Sequence, residues 1–191
     1  MPDRRVPTTA LLLGLVVLVG AGWWLWPTFD GHDDDIDVLV VGDGVLATAR
    51  RSIELRVREA GLSVEWHATQ QWCDDVGALA AVVDTVDPGR VVVPLTEGGA
   101  CLEAAAVAIR DADRLVVVVS DAGPDAVAVA ASGFDVVDAT RLIGPAGGPV
   151  TMPCEWWEQP CAPQGVAVRA ADGILTEPGG ERLARVVATA L

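Results

Sequence analysis

Three apolar stretches decide the fold of this chain: Val38-Leu39-Val40-Val41, Val91-Val92-Val93-Pro94 and Leu115-Val116-Val117-Val118-Val119. Each is a short, mostly β-branched run without polar alternation, which is the pattern of a strand buried on both faces. Amphipathic segments with helical spacing separate these runs along the chain. Strands that alternate with helices in this way predict an α/β domain built on a three-layer, flavodoxin-like parallel sheet.

The same periodicities and the turn residues predict the remaining elements. Strands are predicted at residues 37–41, 63–67, 90–94, 115–119 and 135–137, and helices at 45–60, 75–86, 99–111, 124–132 and 178–190. A long loop is predicted at 145–165, followed by an extended stretch at 166–169. Ligands of such folds bind at the carboxyl ends of the strands. That edge is expected to carry Asp43, His67, Thr96, Ser120 and Asp121.

The N-terminal segment predicts a membrane anchor. Residues 7–26 carry no charge, and about 20 residues at ~1.5 Å each span the ~30 Å hydrocarbon layer. Arg4 and Arg5 precede the segment and aspartates follow it, so the positive-inside rule places the rest of the chain outside the cytoplasm. The expected protein is a single-pass membrane protein with an anchor at 1–27, an acidic linker at 28–35 and an α/β domain at 36–191. A cleaved signal peptide is the alternative.

The net charge limits the classes of partner, and the cysteines indicate disulfides. The formal net charge of -14 argues against nucleic acid, which needs a basic face, and against an anionic membrane surface as partner of the domain. An extracytoplasmic domain makes the four cysteines readable as disulfides. Three pairings are possible, of which we favour Cys73 with Cys101 and Cys154 with Cys161. No Cys-x-x-Cys occurs, and we predict neither a metal nor a cofactor.

Two motifs carry a resemblance to a known family. The first strand runs into Gly42-Asp43-Gly44, and the C-terminal region reads Cys154-Glu155-Trp156-Trp157 to Cys161, followed by Asp172-Gly173-Ile174-Leu175-Thr176. In layout, residues 36–191 resemble the SGNH/GDSL hydrolases, in particular the extracytoplasmic domains fused to membrane acyltransferases. Those proteins have Gly-Asp-Ser after the first strand and Asp-Gly-x-His-x-Thr before the final helix.

The resemblance implies a catalytic site from which the reactive groups are missing. In the family a serine attacks an ester, a histidine takes its proton, an aspartate orients the histidine, and an asparagine helps to hold the oxyanion. Here Gly44 stands at the serine position, no histidine follows Asp172, and the chain has no asparagine. Only Asp43 and Asp172 match the family. We therefore expect a non-catalytic binding or accessory role at the cell envelope, with an envelope glycan or a membrane acyltransferase-type protein as partner.

The alternative is an active esterase or O-acyltransferase that acts on an envelope glycan through relocated residues. Ser120 and His67, each at a predicted strand end, are the candidates for that set. Ligand-binding candidates are Asp43, Thr96, Ser120 and Asp121 at the strand ends, with Trp156 and Trp157 in the C-terminal loop. The two tryptophans either form a platform on which a sugar stacks or cover the nearby disulfide and pack on the domain.

Overall fold

A five-stranded parallel sheet forms the centre of the domain. The computed structural model describes residues 35–42, 44–69, 71–95, 100–109, 115–120, 134–145 and 147–191. The strands are β1 Val38–Gly42, β2 Val64–Ala68, β3 Arg90–Pro94, β4 Leu115–Val119 and β5 Asp135–Asp138. They are arranged in the order β2-β1-β3-β4-β5, and every neighbouring pair is parallel. This is the flavodoxin-like order, and the predicted parallel α/β sheet is confirmed.

Helices cover both faces of the sheet. They are α1 Gly44–Thr48, α2 Arg50–Glu59, α3 Val76–Val86, α4 Ala100–Ile109, α5 Thr140–Ile143 and α6 Glu177–Ala190. One apolar cluster joins α1, α2, α5 and α6 to one face, and a second cluster joins α3 and α4 to the other. Alternate residues of each strand enter opposite clusters, as Val40 and Val41 do, because successive side chains of a strand point to opposite faces. This double burial explains the continuous valine runs.

The predicted helix at 45–60 is in fact two helices. Ala49, with φ -104° and ψ 7°, departs from helical geometry and separates α1 from α2. The chain then leaves α2 through Ala60 and Gly61, whose φ of +82° suits glycine. Helix α3 is capped by Asp75, whose carboxylate accepts a hydrogen bond from the amide of Ala78 at 2.9 Å.

The predicted loop at 145–165 contains regular structure. Strand β6, Val150–Met152, pairs in antiparallel fashion with β7, Val166–Arg169, and a 3₁₀ turn covers Trp156–Glu158. The loop prediction was wrong here because a three-residue strand has no periodicity that a sequence can display. The pairing of β6 with β7 places the tryptophan turn beside α6.

A buried ion pair fixes that turn to α6. The Arg182 guanidinium is 1% exposed and donates from Nε and Nη2 to the two carboxylate oxygens of Glu158, at 2.7 and 2.6 Å. It also donates to the carbonyl oxygens of Leu142 and Pro153, at 2.9 and 2.6 Å. This hydrogen bonding with Arg182, more than any other cause, lowers the pKa of Glu158.

Both favoured disulfides are present. Cys73 is bonded to Cys101 with their Cα atoms 5.4 Å apart, and Cys154 to Cys161 with their Cα atoms 6.4 Å apart. The first joins the 3₁₀ turn that precedes α3 to α4, and the second closes the loop around the tryptophan turn. Two disulfides are typical of proteins from an oxidising, extracytoplasmic compartment.

Several predictions fall on residues that the structure does not describe. These are the anchor at 7–26, most of the acidic linker, the helix at 124–132, and the side chains of Asp43, Thr96 and Asp121. Within the described residues, no helix combines the length and the apolar character that crossing a membrane requires.

Candidate functional site

A crevice at the carboxyl end of the sheet brings three predicted positions together. It has a volume of about 310 Å³ and lies between the start of α1, the end of β4 and the turn that follows β7. Its described lining consists of Gly44, Val45, Thr48, Ser120, Gly147, Arg169, Asp172, Gly173 and Ile174. The strand order reverses between β1 and β3, which is where open α/β sheets bind their ligands. Gly44, Ser120 and Asp172, far apart in sequence, therefore line one cavity.

Gly44 opens α1 in a conformation that suits glycine. Its φ is +49°, in the left-handed region, where a residue with a side chain costs about 1–2 kcal/mol. Gly44 supplies no hydroxyl to the crevice. The nearest hydroxyl on the same helix is that of Thr48, which donates to the carbonyl oxygen of Val45 at 2.8 Å.

Asp172 is held in place by its own turn. One of its carboxylate oxygens accepts a hydrogen bond from the backbone amide of Ile174, two residues further along the chain, at 3.0 Å. This is an Asx turn, in which an aspartate side chain stabilises the local bend of the backbone. The side chain is exposed, so the second oxygen can accept a hydrogen bond from a ligand. Asp172 thus lines the crevice, and the described lining contains no histidine for it to orient.

Arg169 is a functional-site residue that the sequence reasoning did not single out. It is the last residue of β7 and is only 5% exposed. Its Nε donates to the carbonyl oxygen of Ile143 at 3.2 Å and its Nη1 to that of Gly173 at 2.9 Å. Arg169 therefore ties the Asp172 turn to the end of α5. The signal in the sequence that could have identified Arg169 was a lone arginine at the end of an apolar strand.

His67 does not reach Ser120. In the sheet, β1 and β3 lie between β2 and β4, so three interstrand spacings, about 14 Å in all, separate the strands that carry the two residues. His67 is also in register with Val41, whose side chain packs on the α3 and α4 face. A hydrogen bond between nucleophile and base needs a heavy-atom separation of about 2.6–3.2 Å. The relocated pair is therefore not assembled.

The described lining of the crevice contains several polar groups. It offers the hydroxyls of Thr48 and Ser120, the carboxylate of Asp172 and the guanidinium of Arg169. Histidine, the most frequent general base, is missing from this part of the lining, as are cysteine and lysine. Nor do the described ranges contain a cluster of three histidine, cysteine, aspartate or glutamate side chains able to hold a metal ion.

Trp156 and Trp157 lie elsewhere, beside β5 and α6. Trp157 is half-buried, and the Arg185 guanidinium lies 4.9 Å from the centre of its ring, a distance typical of cation–π contacts. Trp156 is 80% exposed and meets Trp157 edge to face, with the ring centres 5.6 Å apart. The sequence left two interpretations open, a platform for a sugar or packing on the domain. Packing on the domain describes Trp157 but not Trp156. Among the predicted ligand-binding residues that the structure describes, Ser120 thus lies in the crevice, whereas Trp156 and Trp157 lie in a separate place.

Comparison with known proteins supplies no family assignment. No protein-family model matches the chain, and no curated protein matches it.

Proposed function

We propose that this chain is a membrane-anchored, extracytoplasmic domain of SGNH-like layout that has lost hydrolase chemistry and binds a ligand of the cell envelope in its strand-end crevice. One observation supports the proposal most. Gly44, Ser120 and Asp172 surround a single cavity at the switch point of the sheet, yet its described lining contains neither a histidine nor a serine at the nucleophile position.

The groups that remain suit the recognition of hydroxyl-rich ligands. Thr48 and Ser120 can donate and accept hydrogen bonds, and Asp172 accepts them. The turn that carries Asp172 is fixed by Arg169 before any ligand arrives, which lowers the entropic cost of binding. An envelope glycan is the partner that we favour. The other candidate partner is a membrane acyltransferase-type protein. Such a protein would bring the glycan or its acyl donor to the same compartment.

An esterase assay separates binding from catalysis. We expect the full-length chain to hydrolyse an aryl acetate no faster than solvent does. Gly44→Ser should not restore activity, because a serine without a base keeps its proton and is a poor nucleophile. Circular dichroism would verify that the variant folds despite the φ of +49° at this position. Turnover by the wild type that Ser120→Ala abolishes, while Thr85→Ala on the exposed side of α3 leaves it intact, would establish the esterase or O-acyltransferase alternative.

The proposed location has its own test. The two disulfides support an oxidising compartment, and the predicted anchor places residues 28–191 outside the cytoplasm. Protease added to intact cells should digest the domain while a cytoplasmic marker survives. Complete protection of the domain in cells whose surface proteins are digested would contradict this topology.

A further inference from the structure

A second cavity lies between the tryptophan turn, β5 and α6, away from the strand-end crevice. Its volume is about 450 Å³, within the range of about 300–1,000 Å³ that small-molecule sites occupy. Aliphatic side chains of β5, α5 and α6 form its floor, and Trp156 and Trp157 form its wall. Three polar residues complete the lining: Asp138, Arg185 and Thr189. A largely apolar concavity with a few polar groups is the general form of a ligand site.

The turn that carries the exposed ring of Trp156 is held by several contacts. Its 3₁₀ turn is closed at both ends: the Glu158 carboxylate accepts from the backbone amide of Glu155 at 2.8 Å, and the backbone amide of Glu158 donates to the carbonyl oxygen of Glu155 at 3.0 Å. Glu158 is anchored in turn to the buried Arg182, and the disulfide from Cys154 brackets the turn. The backbone that carries this large exposed ring is therefore fixed, and the ring meets Trp157 edge to face. A backbone ordered in advance lowers the ordering cost of binding a ligand.

The polar residues of the cavity offer both donors and acceptors. Asp138 uses Oδ1 to accept from the amide and hydroxyl of Thr140, while its Oδ2 lies 4.0 Å from the exposed Arg141. The Thr189 hydroxyl donates to the carbonyl oxygen of Arg185 at 2.7 Å, which leaves its lone pairs able to accept. Arg185 uses Nε for Glu181 at 2.7 Å, and its guanidinium carries four further N–H groups.

We propose that this cavity binds a neutral pyranose unit of a glycan, stacked on Trp156. The C–H face of a pyranose carries partial positive charge, which the negative face of an indole ring attracts, and its hydroxyls match the donors and acceptors of Asp138, Arg185 and Thr189. An acyl chain would instead bury those polar groups without partners, at a cost in free energy. An anionic sugar would approach a chain whose net charge is -14. The site is separate from the crevice and does not depend on the function proposed for it.

Indole N–H resonances of the full-length, ¹⁵N-labelled chain test the proposal. The probes are maltotriose, cellotriose and N,N′-diacetylchitobiose, each titrated to millimolar concentrations. We expect at least one of them to shift the indole signals of Trp156 and Trp157 in a saturable way. Trp72 is the internal reference, because its indole N–H is buried and donates to the carbonyl oxygen of Pro94 at 3.0 Å. Its signal should not move.

Three variants and one control separate ring stacking from other effects. Trp156→Ala should weaken the affinity at least tenfold, whereas Trp156→Phe, which keeps an aromatic face, should weaken it less. Asp138→Asn should weaken it several-fold through the lost anionic acceptor. Val107→Ala is the matched control, because Val107 is 79% exposed on α4, on the opposite face of the sheet. It should leave the affinity unchanged.

Three results would overturn the assignment. The first is that none of the three saccharides shifts the Trp156 signal. The second is that the shifts persist at the same affinity in Trp156→Ala. The third is that light scattering shows self-association of the chain that Trp156→Ala abolishes while no saccharide has an effect, because this patch would then be a contact between copies of the chain.

Discussion

Glu158→Ala should be among the most destabilising single changes outside the apolar core. It removes the carboxylate that pairs with the Arg182 guanidinium, which is 1% exposed and cannot turn to solvent. Removing one partner of a buried pair typically costs about 3–5 kcal/mol, because the remaining charge stays buried. The carbonyl oxygens of Leu142 and Pro153 still accept from Arg182, so we expect the lower end, about 3 kcal/mol. That loss corresponds to a fall in Tm of roughly 6–12 °C for a chain of this size.

The measurement is urea unfolding of the non-reduced chain, followed by far-ultraviolet circular dichroism at pH 7. Glu54→Ala is the control, since Glu54 pairs with Arg50 on the surface, with exposures of 23% and 56%, and such pairs contribute at most about 1 kcal/mol. Glu158→Gln keeps a neutral acceptor for Arg182 and should fall between the two variants. A loss below about 1 kcal/mol for Glu158→Ala would refute the view that this ion pair holds the turn to α6.

The same pair predicts a pH dependence with a definite sign. Arg182 lowers the pKa of Glu158 below its ordinary value of 4.5. A carboxylate whose pKa is lower in the folded state contributes stability at pH values above its unfolded pKa, and that stability disappears as pH falls through the folded value. The difference between wild type and Glu158→Gln should therefore be constant from pH 7 to about pH 5 and shrink below pH 4.5. A difference that grows on acidification would contradict the assignment.

Two further predictions concern α6. Thr176→Ala should cost about 1–2 kcal/mol in unfolding free energy, because the Thr176 side chain caps the helix by accepting from the amide of Gly179 at 3.3 Å, while Thr176→Ser should be nearly neutral. Gly179→Ala should lower Tm more than any other glycine-to-alanine change in α6, because the added Cβ would overlap the carbonyl oxygen of Val168. Gly148→Ala, which meets no atom within 4 Å, is the control; equal melting temperatures for the two variants would show that α6 can move away from β7.

Much of the sheet could be predicted because its signal is local. Runs such as Leu115–Val119 identify a strand by composition alone, and their lack of polar alternation indicates burial on both faces. The strand-end position of Ser120 follows directly from that prediction. Gly44 and Asp172 were identified by the resemblance and Ser120 by its strand end. Their meeting was not predicted, because it depends on the order in which strands and turns come together. The structure confirms only that these three residues line the same crevice.

Other parts of the site had no sequence signal of comparable strength. Arg182 and Glu158 are ordinary charged residues in the sequence, and their partnership spans 24 positions along the chain. Arg169 lies between an apolar strand and a turn, where nothing in the periodicity distinguishes a buried guanidinium from an exposed one. His67 illustrates the reverse error: it ends a strand, as expected, yet two intervening strands keep it away from Ser120.

The sequence by itself determined the fold class, the main strands and the pairing preference of the cysteines, because hydrophobic periodicity and spacing are properties of neighbouring residues. Tertiary structure alone decided which strand ends share a crevice, that β6 and β7 pair within a predicted loop, and that Trp156 stays exposed while Trp157 packs under Arg185. These features depend on contacts between distant segments. The free energy of such a contact is set by the burial and hydrogen bonding that both partners acquire only when the whole domain has assembled.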